Sequence, residues 1–157
     1  MTIPGFEFHE VYERLSVGPC PNTPERIRAI KLAGFTAVVS VQTDGDLTEL
    51  GLSWPLLWKF LVGQGLSCQR VPIRDFDQKA LAKGLDEAVA AVHELHRSGH
   101  RVYLHCTAGV NRSPSVAIAW LIAYQQMPLE EAWELVTTRR PSAPHRSAIE
   151  AWQETRK

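Results

Sequence analysis

Thirteen consecutive residues, Val102 to Pro114 (Val-Tyr-Leu-His-Cys-Thr-Ala-Gly-Val-Asn-Arg-Ser-Pro), constrain the fold more than any other stretch. They predict a buried strand through His105, a tight loop from Cys106 to Arg112 and then the first turn of a helix. A helix N-terminus carries unpaired backbone N–H groups and a partial positive charge, so it suits an anion such as phosphate. Cys106 at the start of the loop would aim its sulfur at that anion. Arg112 at its end could grip two of the anion's oxygens at once.

Spacing alone does not select this loop. A cysteine precedes an arginine by six positions three times, at Cys20/Arg26, Cys68/Arg74 and Cys106/Arg112. Between Cys20 and Arg26 lie Pro21 and Pro24, each lacking the N–H that an anion cradle needs. Between Cys68 and Arg74 the residues are β-forming, with no glycine to turn the chain. Only the third loop has small residues and Gly109, which lets the backbone close around an anion.

Around that stretch, strand and helix patterns alternate. A first strand is expected over residues 11–17, ending at Gly18-Pro19, and a helix from Thr23-Pro24-Glu25 to Gly34 with Ile27, Ile30 and the Lys31 stem inward. Thr36 to Gln42 is β-branched and continuous, as in a strand covered on both faces. Thr43 to Ser53 reads as a polar connection, and Trp54 to Gly63 as a short helix whose aromatic surface belongs to the core. Leu66 to Ile73 is a further strand. Lys79 to Ser98 is an amphipathic helix with Leu81, Leu85, Ala88, Val89, Val92 and Leu95 on one side, stopped by Gly99.

Helices are expected over Arg112 to Gln125, from Pro128 through Thr138, and from about Ala143 to Thr155. The pattern gives an α/β fold: a central, mainly parallel β-sheet of four to five strands flanked by helices, in a single domain over residues 1–157. Ligands bind such sheets beyond the carboxyl ends of the strands, where Cys106 falls.

The residues imply cysteine-dependent phosphate-ester hydrolysis. Helix N-terminus, Arg112 and loop amides would favour the Cys106 thiolate, which attacks phosphorus while the amides of Thr107, Ala108, Gly109, Val110 and Asn111 hold the oxygens. His105 would order the loop rather than touch substrate. The leaving group needs a proton, and Asp75, in the loop after the strand ending at Ile73, is the candidate acid, with Asp77 its competitor. Ser113 could hydrogen-bond the departing sulfur, cap the helix, or do both. No cofactor or metal is called for. His93, His96 and His100 share helical spacing, but no acidic or sulfur ligand accompanies them, and the helix dipole favours histidine there.

A formal net charge of zero argues against a nucleic-acid or membrane-surface partner. Three cysteines without framework spacing suit a reducing compartment. Met1 to Glu10 lacks the basic and apolar regions of a secretion signal, so a cytoplasmic monomer is expected.

His105-Cys-Thr-Ala-Gly-Val-Asn-Arg-Ser113 resembles the signature loop of the cysteine-based protein tyrosine phosphatases. Chain length and the Arg-Ser-Pro ending are similar to the dual-specificity branch. The resemblance implies a shallow pocket admitting phosphotyrosine and phosphoserine/threonine. It also implies Cys106 as nucleophile, Arg112 as phosphate clamp, Asp75 as general acid and Ser113 as thiolate stabiliser. Within the branch, Leu15-Ser-Val-Gly, Val41-Gln-Thr-Asp-Gly-Asp and Arg74-Asp-Phe-Asp77 resemble the plant glucan phosphatases, which implies Phe76 as an aromatic against a sugar. Those enzymes typically have Gly-Arg-Ala-Pro where this chain has Asn111-Arg-Ser-Pro114, and an aromatic where it has Ala143. A phosphorylated protein or peptide is therefore the expected substrate and phosphoglucan the alternative; an inert phosphate-binding module is the reading of another class.

Overall fold

A computed structural model describes residues 3–157, so Met1 and Thr2, where the N-terminal reading begins, lie outside the described residues. Five strands form one sheet in the order β1-β2-β5-β3-β4. β1 (His9–Tyr12) and β2 (Leu15–Gly18) pair antiparallel, while β2, β5 (Val102–His105), β3 (Ala37–Ser40) and β4 (Ser67–Arg70) run parallel. The central strands β2, β5 and β3 are buried throughout, which accounts for their continuous apolar character.

Helices cover both faces. On one, α4 (Gln78–Arg97), α5 (Arg112–Tyr124), α6 (Leu129–Arg139) and α7 (Arg146–Thr155) pack over a core that includes Leu85, Val92, Leu104, Trp120 and Trp152. On the other, α1 (Pro24–Leu32) and α3 (Trp54–Gly63) enclose a smaller aromatic-rich core with Phe6, Ile30, Phe35, Leu61 and Tyr103. Among the described residues, no helix is long and apolar enough to cross a membrane.

Several expectations are corrected. The single strand over residues 11–17 is a hairpin, because Arg14 adopts φ 59° and reverses the chain. The connection from Thr43 to Ser53 holds another helix, α2 (Asp44–Glu49), started by a reciprocal capping box in which Thr43 Oγ1 accepts from the Asp46 amide and Asp46 accepts from the Thr43 amide. The aromatic surface of α3 is not core. Only the stripe with Leu57 and Leu61 is buried, leaving Trp58 46% and Phe60 47% exposed. Trp54 is half-buried beneath the Arg70 guanidinium, 5.2 Å from its ring centroid. α7 begins at Arg146 rather than Ala143, with His145 as its cap.

The three spaced histidines have separate partners. His96 Nε2 lies 2.8 Å from the Glu13 carbonyl, His93 stacks on Tyr124, and His100 Nδ1 lies 3.0 Å from Thr36 Oγ1.

Candidate active site

β5 ends at His105 and α5 begins at Arg112, so the six residues between them must reverse direction beyond the carboxyl end of the sheet. Gly109 makes this possible. Its φ of 70° is the left-handed region, and a Cβ there would come within 2.5 Å of the Gly18 carbonyl.

The loop's carbonyls are held from outside. Thr107 O accepts from the Cys20 amide at 3.0 Å, and Val110 O from the Ala143 amide at 2.8 Å. Arg140 donates to Ala108 O at 3.2 Å and to Gly109 O at 2.7 Å. In a planar trans peptide the next residue's N–H points opposite to the carbonyl, so the amides of Ala108, Gly109, Val110 and Asn111 face the other way. Gly109 shows where that is: its N–H donates to Cys106 Sγ at 3.2 Å. The remaining three have no protein acceptor among the described residues.

The sulfur therefore sits at the focus of the loop. It lies 3.2 Å from Ser113 Oγ, in the first turn of α5. That turn lacks a side-chain cap, because Asn111 donates its Nδ2 to Ala143 O at 2.9 Å instead. Two of the three positions that depart from the glucan-phosphatase pattern, Asn111 and Ala143, are thus bonded to each other. His105 is buried and its Nδ1 meets Cys106 O at 3.0 Å, which requires the proton on Nδ1. Its Nε2 is buried without a partner. Burial pushes the imidazole down to about 4, keeping it neutral.

Arg112, 2% exposed, is fixed by three segments that follow different strands. Its Nη1 donates to Asp46 Oδ2 at 2.6 Å and to Ile73 O at 2.9 Å. Its Nη2 donates to Thr107 Oγ1 at 3.3 Å and pairs with Asp75 Oδ2 at 3.2 Å. Its Nε is buried with no partner. The Nε side and the Asp75-facing Nη2 form the edge of the fork that a phosphate could take over.

Asp75 thus reaches the site, its other oxygen accepting from the Phe76 amide at 3.1 Å. Asp77 does another job: its Oδ1 accepts from the Ala80 amide and caps α4. Phe76 is 98% exposed at φ 57°, an unusual conformation for a bulky residue.

Asp46 is the site residue missed in the sequence. Burial disfavours its charged form, but the hydrogen bonds from Arg112 and Thr43 outweigh that and hold the carboxyl below its ordinary value. The available signal was Thr43 followed three positions later by Asp46, a capping pattern just beyond the carboxyl end of β3.

The family model for the catalytic domain of dual specificity phosphatases matches residues 23–153. The chain belongs to the dual specificity phosphatase family. Among relatives of this phosphatase-family chain, the phosphoglucan phosphatase DSP4 of Castanea sativa is 29% identical over 94% of the chain and 40% of its own length. Dual specificity protein phosphatase 12 of Homo sapiens is 31% identical over 83% of the chain and 34% of its own length. The chain thus spans well under half of either relative. The crystal structure of Tk-PTP in its active form superposes with a TM-score of 0.78 at 26% identity, covering 98% of the chain and 97% of that protein. PTPMT1, at 23% identity and a TM-score of 0.76, shares the fold over 94% of the chain and 92% of its own.

Proposed function

We propose that the chain is a phosphatase acting on phosphotyrosine and phosphoserine/threonine in proteins, with residues 1–157 as one catalytic domain. One observation carries the reading: the Cys106 sulfur receives the Gly109 amide at the uncapped start of α5, with the unpartnered Nε of Arg112 in the same loop.

The chemistry follows from these positions. A substrate phosphate displaces the Asp75 carboxylate from Arg112 and takes the loop amides as oxygen ligands. The Cys106 thiolate attacks phosphorus while the bond from phosphorus to the leaving oxygen breaks. Asp75, once protonated, gives that oxygen its proton. The resulting carboxylate then takes a proton from water, whose oxygen attacks the cysteinyl-phosphate. The Ser113 hydroxyl, 3.2 Å from the sulfur, supports the thiolate that leaves.

Hydrolysis of para-nitrophenyl phosphate under reducing conditions tests the reading. Cys106→Ser is expected to abolish turnover yet keep affinity for the ester, and a fully active variant would defeat the assignment. No turnover by the unaltered chain would favour the inert phosphate-binding module.

Phosphoglucan is the second substrate reading, favoured by the similarity to DSP4 and the solvent-exposed Phe76 ring. Against it stands the Asn111–Ala143 pairing, which joins two of the three positions where the chain departs from the glucan pattern. Parallel turnover of a phosphotyrosine peptide, a phosphoserine peptide and phosphorylated amylopectin separates the two.

A further inference from the structure

Past the end of β3, the pairing with β5 carries on. Ser40 stands opposite His105, and the Val41 amide donates to His105 O at 3.1 Å. The same register brings Gln42 opposite Thr107, the residue after Cys106. Gln42 is completely buried. Its backbone is held on both sides, the amide by Ser40 Oγ at 3.2 Å and the carbonyl by Arg70 Nε at 3.0 Å.

The Gln42 side chain donates its Nε2 to Thr107 Oγ1 at 3.0 Å, and Arg112 Nη2 donates to the same oxygen at 3.3 Å. Both nitrogens are donors, so the Thr107 hydroxyl accepts with both lone pairs. Gln42 Oε1, by contrast, is buried without a partner. The neighbouring Cys20 thiol does not make up for this, since burial pushes it up to about 12 and a neutral thiol is a weak donor. A buried amide with an unpaired oxygen costs stability that an apolar side chain of similar size would not. Packing therefore gives no reason for a glutamine here, whereas the bond to Thr107 does.

That bond bears on Arg112. Nη1 is occupied by Asp46 and Ile73 O, which leaves Nη2 and Nε for substrate. One side of Nη2 meets Thr107 and the other Asp75. Once phosphate displaces Asp75, Thr107 is what still fixes the direction of the Nη2 hydrogens.

We propose that Gln42 is a positioning residue for phosphoryl transfer, locking the Thr107 hydroxyl so that Arg112 meets the equatorial oxygens of the transition state in their own plane. This role rests on the phosphatase reading and adds to it a buried residue from outside the loop. A tilted guanidinium can still hold a tetrahedral phosphate, but it fits the pentavalent arrangement less well, so the loss falls on kcat.

The test uses Gln42→Met, which keeps side-chain length and leaves the backbone contacts in place. For para-nitrophenyl phosphate, kcat is expected to fall about tenfold with KM within about twofold. Inhibition by vanadate, which adopts the pentavalent geometry, and by inorganic phosphate gives a second readout. The preference for vanadate should shrink by a similar factor, and a ratio taken within one variant is unaffected by any unfolded fraction. The thermal midpoint should be no lower than that of the unaltered chain. Thr107→Val should reproduce the kinetic loss and Thr107→Ser should avoid most of it. The double variant Gln42→Met/Thr107→Val should lose no more than Thr107→Val alone. A destabilised or unfolded Gln42→Met, an unchanged vanadate-to-phosphate ratio, or additive losses in the double variant would overturn the proposal. If the unaltered chain turns over no aryl phosphate, the phosphatase reading falls separately, and calorimetric affinities for vanadate and phosphate decide the role of Gln42 by the same ratio.

Discussion

At the scale of single residues, the arrangement around Arg112 depends on side chains outside the Cys106 loop. Asp46 carries out two tasks with one carboxylate, capping α2 and holding Arg112 Nη1 at 2.6 Å. Asp46→Asn should lower kcat/KM for aryl phosphate by about 10- to 100-fold, the worth of one charge-assisted hydrogen bond. Thr43→Ala removes only the cap and should cost about 1 kcal/mol of stability with little loss of turnover. If the two variants lose activity equally, the arginine contact is not what matters. His105 makes a prediction about pH. Its imidazole ionises at about 4 when folded, against 6.5 as its ordinary value. The unfolded chain therefore binds a proton that the folded chain refuses as pH falls through that window. Stability conferred by the neutral ring is complete above 6.5 and lost progressively toward 4, by about 3 kcal/mol at most. Urea midpoints across this window should fall more steeply for the unaltered chain than for His105→Asn.

At the scale of elements, the loop keeps its shape because neighbouring segments hold its carbonyls. Gly109 is the closest of these contacts. Gly109→Ala must adopt φ 70° and push a methyl against the Gly18 carbonyl and Arg140 Nη2, which would lie 2.5 and 2.6 Å away. A loss of about 1–3 kcal/mol is expected, with a larger fractional loss of turnover than of secondary structure by circular dichroism. This loop was legible in the sequence because three local signals agree there: a β-branched run, small residues with one glycine, and a helical run. The long helix α4 was legible for a similar reason, since Leu81, Leu85, Val89 and Val92 recur at its pitch and are buried. Harder to read were features set by context. Arg14 reverses the chain with no glycine or asparagine to announce it. α2 spans only six residues with one buried side chain, Leu47, so its evidence is a cap rather than a period. α3 is apolar apart from Lys59, so the single charge opposite the buried Leu57 and Leu61 is the one sign in its sequence of which stripe is covered. Contacts across the sheet, such as Asp46 to Arg112, join residues 66 positions apart and leave no local trace.

At the scale of the whole molecule, the larger core is closed by the C-terminal helix. Trp152 is buried against it, and its indole N–H donates to Asp86 Oδ1 in α4 at 2.7 Å. Trp152→Ala should cost about 3–5 kcal/mol by chemical denaturation, whereas Trp152→Phe, which keeps most of the volume, should cost much less. Similar losses in both would mean that the indole hydrogen bond, rather than the buried surface, secures α7. The same wide-ranging connectivity bears on Arg112, whose fork is gripped by residues following β3, β4 and β5. That guanidinium behaves as a keystone: each crossover leans on it, and loosening any one of them lets it tilt. Readiness to react is then a property of the assembled sheet, and urea should extinguish turnover and tryptophan fluorescence at a shared midpoint.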